Sequence, residues 1–387
     1  MRIFMLQRFD LASVSCARRI LCQAEELLKR GHEVLLTEYA HPQRRSEVPS
    51  VADAHGSQAQ IISLPRQIAH FRQNAKRLAA LSPPPDIIHV WKAYPDASLL
   101  AYWLAHRWRV PLHYDWDDWE RGIAHELTGS SAAGWIAGLW DRQFLRFCHT
   151  ASVASHFLRD QALNAGFPTE RLWDAPVGAD IERFSPRPKE RKLLEEFGLR
   201  EPVLVYSGQL EVASYAEQAV QAFAHIRAHL PQASLLVLGG GRKLPAVQSL
   251  CDQLGLADST VFTDYVDGNR VPDYLALADC ALAPFAENDV TRAKSPLKIA
   301  EYLAMGLPVV ASDVGEATRM IDQAGRCTPC GDTEAMAQAA LEIIQASPAQ
   351  QNHLRELARM RAVSAYNWRS HVDSLEEAYQ AAQAMMR

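Results

Sequence analysis

The feature that most constrains this chain is an alternation of short apolar runs with stretches of helical periodicity, laid down twice in succession. Met1–Gln7 is apolar, and Val14, Ala17, Ile20, Leu21, Ala24, Leu27 and Leu28 then recur at helical spacing before Gly31 stops the helix and Glu33–Leu36 resumes strand character. Such a βαβ unit closes by a right-handed crossover into a parallel sheet. Asp86–Val90, Val110–Tyr114 and Cys148–Ser155 continue the pattern, with a helix predicted over 99–107. A second set opens at Val203–Ser207. A helix over 217–230, stopped by Pro231, leads to Ser234–Leu238 and then to Gly239, Gly240 and Gly241. Val261–Thr263, Cys280–Pro284 and Val309–Ser312 are further strands.

A chain of 387 residues exceeds what one hydrophobic core supports. Between the two sets lie Pro176, Gly178, Pro186 and Pro188, a linker composition. The expectation is an α/β protein with two Rossmann-like domains: residues 1–180, residues 181–365, and a C-terminal helix over 366–387 that returns to the first domain. Parallel sheets of this kind bind ligands beyond the carboxyl ends of their strands.

The totals exclude several classes. Lys and Arg number 40 against 45 Asp and Glu, a net charge of -5, so there is no overall basic field for nucleic acid. Seven scattered cysteines form no framework and suit a reducing compartment. Cys327 and Cys330 make one C-x-x-C with no second pair to complete a zinc site, and they read as loop cysteines. The N-terminal run is too short for a signal segment, and no apolar run approaches the roughly 18 residues of a bilayer span. These features read as a cytoplasmic protein.

The most informative segment is KSPLKIAEYLAMGLPVVAS, residues 294–312. Ser295 reads as the N-cap of a short helix, Pro296 as its first residue, Gly306 and Pro308 as its stop. A helix N-terminus presents free amides and partial positive charge, a seat for an anion. Lys298 in the first turn opposes that dipole, which makes sense when a diphosphate docks nearby. Glu301 falls six residues beyond the cap, roughly 9 Å along the axis, within reach of the ribose of a nucleotide laid over the helix.

This segment resembles the donor-binding signature of family 4 glycosyltransferases, in which a Glu, seven residues and a second Glu precede a Gly-x-Pro-Val-Val ending; this sequence is similar to an S-P-L-K variant. Arg30–Val34, Asp86–His89, Pro176–Asp180 with Phe184–Pro186, Gly208, Leu238–Gly241 and Asn367–Arg369 resemble other landmarks in family order across nearly the whole chain. The resemblance implies the GT-B fold, two domains facing across a deep cleft. It also implies transfer of a sugar from a UDP-, GDP- or ADP-sugar, with retention of configuration, no resident cofactor and no required metal. The acceptor would be a glycan, a lipid-linked or a small molecule. Peripheral contact with the inner face of a membrane is a further expectation, prompted by the apolar stretch Trp135–Trp140, whose other reading is core packing.

Position by position, the resemblance gives Glu301 the donor ribose, Ser295 and Leu297 the diphosphate through their amides, Val266 the nucleobase, and Gly208 and Gly239 close approach to the phosphates. Three departures stand out. The first Glu is Ala293, the Arg after Gly208 is Gln209, and the following Lys has no equivalent in residues 211–214. Lys298, Lys294 or Arg292 would then supply the missing charge, and Glu287 or Asp289 the missing carboxylate. Asp117 and Asp118 resemble a catalytic His-Asp pair facing the donor sugar, with Asp117 in place of the His. Asp115 and Asp117 also spell D-x-D, a metal motif of the other glycosyltransferase fold. Residues 9–15 would line the acceptor pocket. A non-catalytic nucleotide-sugar-binding homologue and a sugar-nucleotide epimerase are the alternatives to a transferase.

Overall fold

A computed structural model describes residues 1–11, 17–39, 58–65, 68–211 and 215–387. The chain divides into two compact units, Met1–Pro176 with Trp368–Arg387, and Val177–Asn367.

Among the described residues, the first unit carries a seven-stranded, wholly parallel sheet. Its strands are β1 (Arg2–Leu6), β2 (Glu33–Tyr39), β3 (Gln60–Leu64), β4 (Ile87–Trp91), β5 (Leu112–Trp116), β6 (Thr150–Val153) and β7 (Leu172–Asp174), in the order β3-β2-β1-β4-β5-β6-β7. Register is regular, with Ile3 beside Val34 on one side and Ile87 on the other. β4 and β5 are buried along their whole length, as expected of strands covered by helices on both faces. The order reverses between β1 and β4, which is the switch point where such sheets receive ligands.

The second unit repeats the plan with six parallel strands, β8 (Val203–Ser207), β9 (Ser234–Leu238), β10 (Thr260–Phe262), β11 (Cys280–Ala283), β12 (Val309–Ser312) and β13 (Gly325–Thr328), in the order β10-β9-β8-β11-β12-β13. Its switch point lies between β8 and β11. The core packs Leu204, Tyr206, Leu235, Val237, Leu282 and Val310 of the sheet against Phe223 and Ile226 of the helix Tyr215–His229. Cys327, expected in a loop, instead lies in the edge strand β13. That strand pairs so closely with β12 that a Cβ at Gly325 would collide with the Val309 carbonyl. An edge strand bearing Arg326 and Cys327 lacks the apolar run that marks a central strand, and β3 and β7 escape the periodicity for the same reason.

The C-terminal helix Trp368–Ala384 belongs to the first unit, where Val372, Leu375 and Tyr379 join the core built by Ile3, Ile20, Leu27, Leu36 and Ile87. A buried polar network fastens it. Arg19 from the helix Arg18–Lys29 grips Asp115 on β5 with two bonds, Nε at 2.9 Å and Nη2 at 2.7 Å. Asp115 also accepts from Gln23 and Ser152, each at 2.8 Å, and Gln23 in turn meets His371 at 2.8 Å. His89 bonds the Tyr379 hydroxyl at 2.7 Å. Burial alone would raise the Asp115 carboxyl, but the Arg19 guanidinium outweighs it and holds the group well below the usual carboxylate range. Burial lowers His89 to about 4 and His371 to about 3, so both are neutral at physiological pH.

Replacing Arg19 by Met leaves the Asp115 carboxylate buried without its counter-charge. The first unit is expected to lose about 3–5 kcal/mol of stability, read as an earlier urea transition of that unit. Recovery is expected in the double variant that also carries Asp115→Asn.

Candidate functional site

The residues singled out in the second half of the sequence converge at the switch point of the second unit. β8 ends at Ser207, whose amide donates to the Tyr302 hydroxyl at 2.6 Å. Tyr302 is buried on the helix Leu297–Ala304, so this bond pins the helix to the strand end. Ile299, Ala300, Tyr302 and Leu303 face the core, while Leu297, Lys298 and Glu301 share the half-buried face. The first amides of such a helix have no intrahelical acceptor.

Gly208 follows β8 with φ 156°, and its amide donates to the Leu238 carbonyl at 3.0 Å. A Cβ built there would stand 2.7 Å from Lys298 Nζ. The Lys298 ammonium lies 4.1 Å from the centre of the Tyr206 ring and 5.9 Å from that of Phe285, the residue shortly beyond β11. It therefore occupies the crevice between the ends of β8 and β11. Burial draws Lys298 down to about 7, against the pull of Glu301. Gly239, at φ 129°, closes on the Gly208 carbonyl so tightly that a methyl group has no room. The Leu210 amide bonds the Gly240 carbonyl at 2.9 Å, zipping the two glycine loops together. Gly239 bridges Asp264, which with exposed Tyr265 leads to half-buried Val266 at the rim.

The predicted cap is displaced by one residue. Pro296, at φ −72° and ψ 112°, is the N-cap, and the Ser295 hydroxyl instead accepts from the Val177 amide at 3.0 Å. Ser295 thus anchors the linker rather than the helix. Arg292 does not supply spare positive charge. Its guanidinium is neutralised by Glu287 at 2.8 Å and Asp289 at 3.5 Å, and the same pairs occupy the two carboxylates expected to replace the missing Glu. Ala293 is fully buried, so a glutamate could not be accommodated there without rebuilding the segment. Lys294 is exposed. Arg242, which follows the glycine run, pairs with Glu211 at 2.7 Å.

In the first unit the acidic cluster is organised around a lysine that the sequence did not single out. Lys92 follows β4 in the left-handed region, φ 60°, with its side chain 5% exposed among carboxylates. Its ammonium pairs with Asp118, with Glu120 at 3.3 Å and with Asp117 at 3.7 Å. Tyr94 donates to Glu120 as well. The loop is therefore an ion-pair cluster rather than a solvated acidic turn. Burial, reinforced by the neighbouring Asp118 and Asp115, raises Asp117 to about 7 despite Lys92 and Arg19. Asp117 Oδ1 has no hydrogen-bond partner among the described residues. The D-x-D reading fails on geometry, because the Asp115 carboxylate is consumed by Arg19, Gln23 and Ser152. Of the expected acceptor segment, Phe9 packs against Trp91 and Tyr94, both at 5.5 Å, whereas residues 12–15 lie outside the described residues.

A family model described as "Glycosyl transferases group 1" matches residues 201–346, and one described as "Glycosyl transferase 4-like domain" matches residues 16–177. The chain belongs to the glycosyltransferases of the family 4 type. The GDP-mannose-dependent alpha-(1-6)-phosphatidylinositol monomannoside mannosyltransferase of Mycolicibacterium smegmatis is 28% identical over 58% of this chain and 60% of the relative. The 2-deoxystreptamine glucosyltransferase of Streptomyces kanamyceticus is 27% identical over 40% of this chain and 39% of its own. These matches span less than two thirds of either relative. A glycosyltransferase structure from Rickettsia africae superposes with a TM-score of 0.74 at 16% identity, covering 98% of both chains. Anabaena HepE in complex with UDP superposes with a TM-score of 0.73 at 16% identity, covering 98% of this chain and 100% of that one. The fold of this glycosyltransferase is thus GT-B, with its two parallel-sheet units.

The position of Lys298 carries a pH signature. An anion seated beside the ammonium raises its pKa, so binding takes up a proton once the free lysine begins to titrate. Affinity for a nucleoside diphosphate sugar, whose diphosphate has no proton to lose in this range, is expected to be constant below about pH 6. It should fall from about pH 7 upward, by at most roughly tenfold per pH unit. Titration calorimetry across this range checks it, and Lys298→Met should flatten the profile.

Proposed function

We propose that this glycosyltransferase binds a nucleoside diphosphate sugar at the β8–β11 switch point of its second unit and transfers the sugar, with retention of configuration, to an acceptor received by the first unit. The observation that carries the reading is the Lys298 ammonium, seated under Gly208 and over Tyr206 beside the opening amides of the helix Leu297–Ala304, with Glu301 on the same face. A diphosphate here meets backbone N–H donors from Leu297 and Lys298 and one cation. Glu301 holds the ribose, and Val266 meets the base. Gln209 and Ser295 belong to the same wall, the latter as an anchor.

Leaving-group charge develops on the diphosphate as the glycosidic bond breaks, and a preorganised cation lowers that barrier. Lys298 takes the part that an Arg and a Lys on the β8 loop play elsewhere in the family. The missing first Glu means that this chain reads its donor sugar differently. Asp117, raised to about 7, can donate a hydrogen bond when protonated and accept one when ionised, as recognition of a sugar hydroxyl requires, while Asp118 keeps Lys92 compensated. Similarity to mannosyltransferases that use GDP-mannose makes that compound the first donor to examine, with UDP-glucose beside it. Glycolipid and small-molecule acceptors are both represented among the relatives' names.

The test is a thermal-shift and transfer assay with GDP-, UDP- and ADP-sugars. At least one is expected to raise the melting temperature of the second unit, since a ligand of the folded state must stabilise it. Glu301→Ala is expected to weaken donor binding about 10- to 100-fold, in proportion to a lost charged hydrogen bond. Lys298→Met is expected to slow transfer by about 10²–10³ while changing donor affinity less at pH 8 and above, where the free lysine is largely neutral. The reading is lost if none of the three nucleotides stabilises the protein, or if Lys298→Met leaves transfer intact.

A further inference from the structure

The first unit carries, away from the residues described above, a face whose composition is foreign to an ordinary protein surface. On the helix Ser131–Leu145, Trp135 is 58% exposed, Ile136 62% and Leu139 42%, and Phe147 just beyond its end is 46% exposed. Spaced by four and then eight, Trp135, Leu139 and Phe147 run along one side for about 18 Å. The neighbouring helix Pro95–Trp108 extends the surface with Tyr102 and Trp103, 43% and 38% exposed. The two helices are joined by the Trp140 indole bonded to the Ser98 hydroxyl at 3.1 Å and by the Tyr102 and Phe147 rings 4.9 Å apart. Phe71, opening the helix Phe71–Ala79, meets Trp103 at 6.5 Å and adds a third helix to the face.

The glycine-bearing side of the helix Ser131–Leu145 shows that the exposure is not a failure to pack. Gly134 and Gly138 lie against Arg121 so closely that a Cβ at either would stand 2.6 Å or 2.8 Å from it, and the helix Glu120–Thr128 covers that side. The helix is thus seated on its small residues and presents its large ones.

The charges around the aromatic residues have one sign. Arg72, Lys76, Arg77, Arg107 and Arg146 are all exposed on the three helices or at their ends. The three helices contain two carboxylates, and neither counters them. Asp96 is held by Arg8 at 3.5 Å, and Asp141 is buried beside Tyr114. Glu126 is exposed, but on the covering helix. Tryptophan and tyrosine, with apolar rings and polar tips, beside exposed Arg and Lys match the headgroup boundary of an anionic bilayer: aromatic rings partition to that level, and each cation near it gains about 1 kcal/mol. A protein partner would match this much apolar surface, but the exposed Arg and Lys residues on the same three helices favour lipid phosphate. Among the described residues no helix is long and apolar enough to cross a membrane, so the contact is a surface one.

We propose that this face docks the protein onto an anionic lipid surface. The inference is independent of the donor site, and its failure is read separately. Sedimentation of the intact protein with vesicles of phosphatidylcholine alone, or of phosphatidylcholine with one third phosphatidylglycerol, is the measurement. Binding to the anionic vesicles is expected to exceed binding to the neutral ones at least tenfold and to fall in high salt. Trp135→Ser with Leu139→Ser, and separately Arg107→Glu with Arg146→Glu, should each lower it at least tenfold. Both pairs lie outside the core, and unchanged thermal unfolding of each variant shows that lost binding is not lost folding. Equal binding to both vesicle types, no binding to either, or variants that bind as well as the parent overturn the proposal. So does self-association through this face that the serine pair abolishes while vesicle binding stays unaltered, since the occupant is then a second copy.

Discussion

The hydrogen bond from the Ser207 amide to the Tyr302 hydroxyl is the contact on which the geometry at the switch point of the second unit depends. It joins the end of the central strand β8 to the buried side of the helix Leu297–Ala304. Everything useful lies on the other side of that joint: the amides at the helix start, the Lys298 ammonium and the Glu301 carboxylate. Because Tyr302 is fully buried, the bond is shielded from water and the helix has no freedom to swing away from the strand end. The glycines are the second half of the same constraint. Gly208 leaves room for the Lys298 ammonium, and Gly239 leaves room for the Gly208 carbonyl, so a side chain at either position forces the wall apart.

The two units handle buried charge in opposite ways. In the first, Asp115 is matched by Arg19 and saturated with hydrogen bonds, so its charge is structural. Two residues further along, Asp117 keeps an oxygen that meets Lys92 at 3.7 Å without a hydrogen bond, and its carboxyl is raised to about 7. In the second unit, Lys298 is half-buried against aromatic rings, and burial lowers its affinity for a proton. A group held out of balance in this way is one that a ligand of opposite charge can restore, which is why perturbed ionisation clusters where chemistry occurs. The same contrast separates Arg292, satisfied by two carboxylates, from Lys298.

How much could be read beforehand varied with the physical origin of each feature. Central strands and the long helices were legible, because burial on both faces imposes continuous apolar runs. Of the four edge strands among the described residues, β10 was legible from its apolar run, whereas β3, β7 and β13 were not, because an edge strand is covered on fewer sides and its composition can relax. Lys92 was missed for a different reason. A lysine after a strand is ordinarily a solvated residue, and only folding brings Asp117, Asp118 and Glu120 around it. The Trp135–Trp140 stretch was ambiguous between core and surface, since a helix does not announce which of its sides the rest of the chain will cover; Gly134 and Gly138 decided it by offering the smaller, closer-packing side.

The sequence by itself determined the two parallel α/β units, the family and the segment at which the donor is expected, because backbone periodicity, glycine placement and motif order are local properties of the chain. Tertiary structure alone decided which charges are spent and which are available: Arg292 closed by its neighbours, Ser295 diverted to the linker, Lys298 held between two strand ends, Lys92 ringed by acids. Charge compensation depends on distances of a few ångströms between residues far apart along the chain, and only the packed fold sets those distances.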